Sequence, residues 1–510
     1  MILVGVGLLS GLDPDSLFLD DQWVGIALRD AGLGERIGLH LPMPLGFAAL
    51  AGLPGLLVRD PDVALQIVPA LAYLASLALF PVLIYRLSDN AWAAALGTAM
   101  LASAPLTAAF AVRVKHYTLD QLVTVGVLLV MIELFRPGSA RRFLAWTLAL
   151  ALGVVLSFSS VFLAVVAIAT TAVTRRVGGW EGHRERTEVT VIASLFLVSV
   201  AAFFGLFVRR ASRPIMVEFW NDYFPVFDGW SGVSTFLSER VSAFLLFAMP
   251  PWAGLLVFLM PFGFVWLWRS GHRAYCIALA LFYGAVLAAA AVRAYPMGTG
   301  RTDIYSFAVT TLLICLGAVW VLDLVASRFV RNGVYAGAML LLVASILLSP
   351  GAEYPSTDDR AVVEWTQERL GGGDALVLSP YAVFALKYFA AGPAELVPAE
   401  YYGHGFDVVP SRPLTYTTSV GRWDLGDPAA TDAELGRLRD FLSDAPARLV
   451  YLETYGVPDG RGRVLNTIVE QGYGLVERTD FGRVAEAFLF ERAGVGPATA
   501  GSAGSAPPGT

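Results

Sequence analysis

Runs of about twenty apolar residues recur along the first two thirds of the chain, and their centres are almost free of charge. A bilayer core about 30 Å thick needs about 20 apolar residues at 1.5 Å rise each. Clear candidates are Leu65 to Tyr85, Ala91 to Ala111, Leu119 to Phe135, Val189 to Val208, Val241 to Trp268, Ala274 to Val292, Ile304 to Val325 and Val334 to Ser349. The stretch from Phe143 to Thr174 is too long for one span and is broken at Ser157, Ser159 and Ser160, which predicts a tight helical hairpin. With 56% hydrophobic and only 15% charged residues, the 510-residue chain departs from the roughly 25% charged content of soluble domains.

Orientation follows from the basic residues between these runs. Arg136, Arg141 and Arg142, then Arg175, Arg176, Arg184 and Arg186, then Arg269 and Arg273, then Arg328 and Arg331 occupy every second connection. The positive-inside rule makes those loops cytoplasmic. Counting the short apolar opening from Met1 as a span, about eleven crossings result. Leu12 to Ala64, Val112 to Thr118, Arg209 to Arg240, Arg293 to Asp303 and everything after Pro350 then face outward.

After Pro350 the composition becomes mixed. Arg360 to Leu370 and Val464 to Gln471 read as helices, and Asp374 to Ser379 and Leu449 to Glu453 as buried strands. The expected organisation is a multi-span α-helical membrane domain over 1–350, an extracytoplasmic α/β domain over 351–493, and a disordered Gly/Ala/Ser/Pro tail over 494–510. The α/β domain carries no Gly-rich phosphate loop, HxxxH or CxxC, and reads as a binding or scaffolding module. The net charge of -6, with no basic run, argues against a nucleic-acid partner. Cys276 and Cys315 sit inside apolar runs, unlike a disulfide framework or a Cys-based metal site.

Ion-coupled transporters carry ionisable residues near mid-span. Here such residues collect at the outer ends, which points to chemistry at the outer surface. Asp20 and Asp21 follow the first apolar stretch in Leu19-Asp20-Asp21-Gln22-Trp23. Adjacent carboxylates at a low-dielectric boundary repel, so one is suited to accept a proton. The plainer reading of either is the N-cap of an amphipathic piece from Gln22 to Asp30. Arg113-Val114-Lys115-His116-Tyr117-Thr118-Leu119-Asp120 forms a cationic cluster where a lipid-linked phosphate would rest at headgroup depth. Its plainer reading is snorkelling beside a Thr118 helix cap. Trp220 and Tyr223, in Phe219-Trp220-Asn221-Asp222-Tyr223-Phe224-Pro225, suit sugar stacking or an interfacial aromatic belt equally well. His40 and His404 read as packing or interfacial residues.

These segments carry a resemblance. Leu19-Asp20-Asp21-Gln22-Trp23 resembles the Leu-Asp-Glu-(Ala)-Trp motif of GT-C membrane glycosyltransferases of the protein O-mannosyltransferase and aminoarabinose-transferase type. Val114 to Asp120 is similar to the Val-Lys-x-Tyr-Ser-Leu-Asp signature of bacterial relatives. Tyr295-Pro296-Met297-Gly298-Thr299-Gly300-Arg301 resembles their Tyr-Pro-x-x-x-x-Arg outer loop, and Pro42-Met43-Pro44-Leu45-Gly46 their Pro-Pro segment. The match covers residues 12 to 135 in order and spacing, and the remaining spans to about 350 more loosely.

The resemblance implies an inverting glycosyltransferase in the plasma membrane. It would move a sugar from a polyprenyl-phosphate donor to a glycan, lipid or protein acceptor on the outer face. Asp20 would be the general base, and Asp21 would orient the acceptor or help hold a divalent ion. Lys115 and Arg301, with Arg113, Tyr117 and His116, would bind the donor phosphate, and Trp220 and Tyr223 would contact sugar or acceptor. The alternative from another class is a non-catalytic lipid-carrier transporter or glycan-binding receptor.

Overall fold

The computed structural model describes residues 19–30, 43–177, 183–208, 220–227, 229–247, 249, 251–325, 327–348, 358–390, 394–398, 406–410, 414–420, 428–455, 458–482 and 485–492. The opening apolar run, His40, His404, Arg209, Arg210, Arg213 and the tail lie outside them. The chain divides into two compact units, one formed by Met1–Pro14, Ala27–Tyr354 and Pro398–Phe406, the other by Asp15–Ile26, Pro355–Val397 and Asp407–Thr510.

In chain order the helices up to residue 348 are α1 (Leu19–Asp30), α2 (Leu45–Ala51), α3 (Pro61–Ser88), α4 (Ala91–Ala102), α5 (Pro105–Ala111), α6 (Tyr117–Leu134), α7 (Ala140–Leu156), α8 (Ser160–Val177), α9 (His183–Phe203), α10 (Trp230–Thr235), α11 (Ser242–Leu246), α12 (Met260–Arg269), α13 (Arg273–Ala291), α14 (Ile304–Asp323) and α15 (Arg328–Leu348). Five described helices are long and apolar enough to cross a membrane, six if α4 and α5 count as one bent span.

Proline and local capping set the boundaries. Asp60 caps α3 by accepting from the backbone N–H groups of Asp62 and Val63, with Pro61 in the first turn, where its missing N–H costs nothing. The expected single span Ala91 to Ala111 bends by 67° before Pro105, because the residue ahead of a proline is driven out of the helical region. The expected span Val241 to Trp268 is likewise interrupted. Helix α11 ends at Leu246, Pro251 to Leu259 forms a 3-10 stretch, and α12 follows. Pro251, lacking an N–H donor, opens the 3-10 stretch rather than continuing an α-helix. The predicted break between Phe143 and Thr174 is present, with α7 ending at Leu156 and α8 starting at Ser160.

Helix α14 is the centre of the helical unit, since every residue from Ile304 to Val319 is buried. Its uniform apolar sequence matches a helix surrounded by protein rather than one with a single buried face. Close approach to α12 depends on two glycines. A Cβ on Gly263 would lie 2.1 Å from the Leu313 carbonyl oxygen, and one on Gly317 would lie 2.0 Å from that of Leu259. By contrast, α9 exposes Val191, Leu195 and Val198, as a lipid-facing helix requires.

In the second unit, chain order gives α16 (Asp359–Arg369), β1 (Ala375–Leu378), α17 (Ala382–Ala390), β2 (Ala394–Pro398), β3 (Phe406–Pro410), β4 (Thr415–Thr417), α18 (Pro428–Asp444), β5 (Arg448–Thr454), α19 (Pro458–Glu470), β6 (Tyr473–Asp480) and β7 (Ala485–Arg492). The five-stranded sheet runs β4-β1-β5-β7-β6, with β1 parallel to β4 and β5, and β7 antiparallel to β5 and β6. Helices α18 and α19 cover one face through Leu435, Leu438, Leu442, Val464 and Ile468 over Val377, Leu449, Tyr451 and Phe488. Helices α16 and α17 pack on β5 from the second unit's other helical layer. Strand β5 is buried from Leu449 to Thr454, which is why its run reads as near-continuous apolar sequence.

Candidate active site

The turn between α5 and α6 carries the predicted phosphate-binding cluster. The Arg113 N–H donates to the Phe110 carbonyl at 3.4 Å and the Lys115 N–H to the Arg113 carbonyl at 2.8 Å. These bonds fold the segment tightly enough to leave Arg113 only 7% and Lys115 only 6% exposed. Tyr117 opens α6, edge-on to Phe110 at 4.9 Å, and packs with Ile304 of α14. The expected Thr118 cap is not formed. Residue 118 lies inside α6, and its hydroxyl donates instead to the Pro69 carbonyl within α3 at 2.9 Å.

His116 is enclosed between the rings of Phe47 and Tyr117, at 6.0 and 4.7 Å. Burial, reinforced by the Lys115 charge, pushes its imidazole down to about 3. It therefore stays neutral at ordinary pH and adds no positive charge to the cluster. Its Nε2 stands 3.6 Å from the Asp120 carboxylate.

The serine break between α7 and α8 ends at this carboxylate. Ser157 and Ser159 both hydrogen-bond Asp120, while the Ser157 hydroxyl also accepts from the Ser160 N–H. Asp120, which the sequence marks only as part of a motif, thus meets both the His116 turn and the break between α7 and α8.

The loop from Val292 to Asp303 forms the facing part. Asp303 Oδ2 accepts from the N–H groups of Thr299 and Gly300 at 2.7 and 3.0 Å. The Tyr295 hydroxyl donates to the Thr302 carbonyl at 2.9 Å. Gly298 has φ +77°, and a Cβ there would lie 2.5 Å from the Arg240 carbonyl oxygen. Burial first, then the nearby Asp303, Asp120 and Tyr117, raise the Tyr295 phenol well above its ordinary value. Those neighbours, together with the Tyr117–Ile304 packing, join the Arg113–Asp120 turn to the loop that bears Arg301.

Arg301 begins the short turn leading into α14, and its guanidinium lies over the Trp220 ring at 5.2 Å. Trp220 is edge-on to Tyr223 at 5.4 Å, and Tyr223 in turn carries Arg240 at 4.4 Å. The two aromatics predicted as sugar contacts and the arginine predicted for phosphate therefore form one stack. Asp303 and Arg240 were not marked as site residues by the sequence, and Ser157 and Ser159 only as a helix break. The four-residue spacing from Thr299 to Asp303 is the one local signal that could have marked a carboxylate folding back on its own loop.

Asp20 and Asp21 lie in the first turn of α1, which starts at Leu19, so neither is its N-cap. Carboxylates suit that first turn, where backbone N–H groups lack helical partners. Asp21 is fully buried. Both belong to the second compact unit, whereas Arg113, Lys115, His116, Tyr117, Trp220, Tyr223 and Arg301 belong to the first. Among the described residues, no three His, Cys, Asp or Glu side chains group as a metal site.

No protein-family model matches the chain, and no curated protein matches it. Among solved structures it is similar to ArnT from Cupriavidus metallidurans in the apo state, with TM-score 0.54 and 13% identity, covering 95% of this chain and 96% of that one. It is also similar to the same protein bound to undecaprenyl phosphate, with TM-score 0.51 and 14% identity, covering 95% and 97%. The likeness over nearly the whole of both chains shows that this chain shares the fold of those structures.

Proposed function

We propose that this protein is an inverting glycosyltransferase that takes a sugar from a polyprenyl-phosphate donor and transfers it to an acceptor hydroxyl on the outer face of the membrane. The observation that carries the reading is the burial of Arg113 and Lys115 in one turn, joined through Tyr117 and Tyr295 to the loop that presents Arg301. Cations held in a low-dielectric site act on an anion far more strongly than solvated ones. A phosphate is the group they fit, and its lipid tail would lie in the bilayer beside the apolar helices. That ArnT was solved with undecaprenyl phosphate on this fold supports the same ligand class.

Asp20 accepts the proton of the acceptor hydroxyl as that oxygen attacks the anomeric carbon from the face opposite the phosphate. The bond between the anomeric carbon and the phosphate oxygen breaks, and its electron pair leaves with the polyprenyl phosphate. Lys115, Arg301 and Arg113 neutralise the developing charge, and their fixed placement spares reorganisation during the reaction. The neutral His116 and the Tyr117 hydroxyl contribute hydrogen bonds rather than charge. Asp21 orients the acceptor. Trp220 presents Arg301 and, with Tyr223, borders the sugar. The C-terminal domain faces the outer side.

The test is incubation of the purified protein with a panel of polyprenyl-phosphate sugars, following release of free lipid phosphate. Release with one donor, abolished in a folded Asp20→Asn variant, is the expected result. Undiminished release by that variant would remove Asp20 from the mechanism.

A further inference from the structure

The helix bearing Asp20 and Asp21 is built into the C-terminal domain, although more than three hundred residues of chain separate them. The Gln22 side-chain amide donates to the Asp359 carboxylate across 337 positions of sequence, and both side chains are fully buried. One turn further along α1, Gly25 rests directly on the Tyr388 ring of α17, where a Cβ would stand 2.4 Å from the nearest ring carbon. Residues three apart share one face of a helix, so both contacts grip the same side of α1. The residue in the second position must be glycine for the ring to come so near.

Asp359 is itself held firmly. Its neighbour Asp358 caps α16 by accepting from the Ala361 N–H at 2.9 Å, and the Asp358 N–H donates to the Phe481 carbonyl beyond β6. At the other end of α16, Arg369 and Trp365 donate to Glu477 of β6 at 2.9 to 3.2 Å. Arg360 stacks on Phe389, linking α16 to α17. The grip on α1 is thereby continuous with the five-stranded sheet. Asp20 stands two positions before Gln22, about 200° around the helix at 3.6 residues per turn, so its position lies away from the gripped face.

We infer that Gln22 and Asp359, with Gly25 seated on Tyr388, are positioning residues for the catalytic base, and that the C-terminal domain serves the reaction by setting the placement of Asp20. This inference rests on the assignment of Asp20 as base given above. A hydrogen bond held away from water is stronger than one in solvent, which suits a positioning role. Misplacing a reacting group by about 1 Å costs about a hundredfold in rate.

The experiment compares Asp359→Ala, Asp359→Asn, Gly25→Ala and the double variant Gly25→Ala/Tyr388→Ala with the full-length protein. It reads kcat, the donor KM, and hydrogen exchange over Leu19 to Asp30. Asp359→Ala is expected to lower kcat by about ten- to a hundredfold with donor KM little changed, and to accelerate exchange in α1. Asp359→Asn keeps an acceptor for the Gln22 amide and restores most of both. Gly25→Ala collides with Tyr388, and removing that ring in the double variant recovers activity. Unchanged exchange over α1 in Asp359→Ala overturns the inference whatever the turnover. So does wild-type kcat in that variant, or a kcat loss that Asp359→Asn does not rescue. Full activity of Asp20→Asn, by contrast, defeats the base assignment alone and leaves the exchange result to decide the grip.

Discussion

The Arg301 guanidinium carbon lies 5.2 Å from the centroid of the Trp220 ring. The aromatic face holds the arginine from one side and limits its freedom, so the cation is preset before a ligand arrives. Such contacts contribute about 0.5–2 kcal/mol according to how far they are desolvated. Trp220→Ala should therefore weaken donor binding by about 2- to 30-fold, measured as donor KM in the lipid-phosphate release assay. Arg301→Ala should cost more, because it removes the charge itself. Equal effects of the two would show that the ring does more than hold the arginine.

Gly298 and Gly300 have similar positive φ values, +77° and +81°, but different surroundings. A Cβ at Gly298 would meet the Arg240 carbonyl oxygen at 2.5 Å, while one at Gly300 would meet only the Leu106 side chain at 3.4 Å. Gly300→Ala should show the backbone strain alone, about 1 kcal/mol. Gly298→Ala should be destabilised further, by about 1–3 kcal/mol in total, and should also loosen the loop presenting Arg301. Thermal unfolding of the two variants in detergent, with donor KM, checks the order.

His116 bears on the membrane unit's response to acid. Its imidazole titrates near 6.5 when exposed and is lowered to about 3 by burial and by Lys115. A depressed folded value means that its contribution to stability is complete above the unfolded value and is lost as pH falls toward the folded one. The helical unit should accordingly lose stability between about pH 6.5 and 3, and His116→Asn should flatten that loss. Between pH 7 and 9 the variant and the wild type should show the same pH–rate profile, since the imidazole does not change charge there.

In the C-terminal domain, burial pushes the Glu434 carboxyl up, but hydrogen bonds from Tyr416, Arg437 and the Ser419 N–H outweigh it and hold the group below its ordinary value. The folded value is again the lower one, so the stability it brings is present above the unfolded carboxylate value of about 4.3 and lost as pH falls below it. Unfolding monitored from pH 6 to 3 should show a steeper decline for the wild type than for Glu434→Gln.

Part of this molecule is legible in its sequence. The run lengths marked the helices, because a bilayer demands about 20 apolar residues wherever a chain crosses it. The serines at 157, 159 and 160 marked a break that is present, and the strands at Asp374 to Ser379 and Leu449 to Glu453 fall within one residue of β1 and β5. Apolar continuity predicts single spans through Pro105 and Pro251, but the missing N–H donors of the prolines break both. The cap expected at Thr118 failed because a buried hydroxyl found a better-placed carbonyl on a different helix.

The sequence alone supplied the candidates for phosphate binding and proton transfer, because charge type follows from residue identity and the positive-inside rule predicts which loops face outward. Only tertiary structure decided which of them lie together. That Arg301 lies on Trp220, that two loop serines serve Asp120, and that Gln22 pairs with Asp359 are long-range events with no local pattern. The pairings of Asp120 and Gln22 exist because a buried polar group must find a partner, that of Arg301 because a cation is drawn to an aromatic face, and in each case the partner is chosen by how helices and loops come together rather than by spacing along the chain.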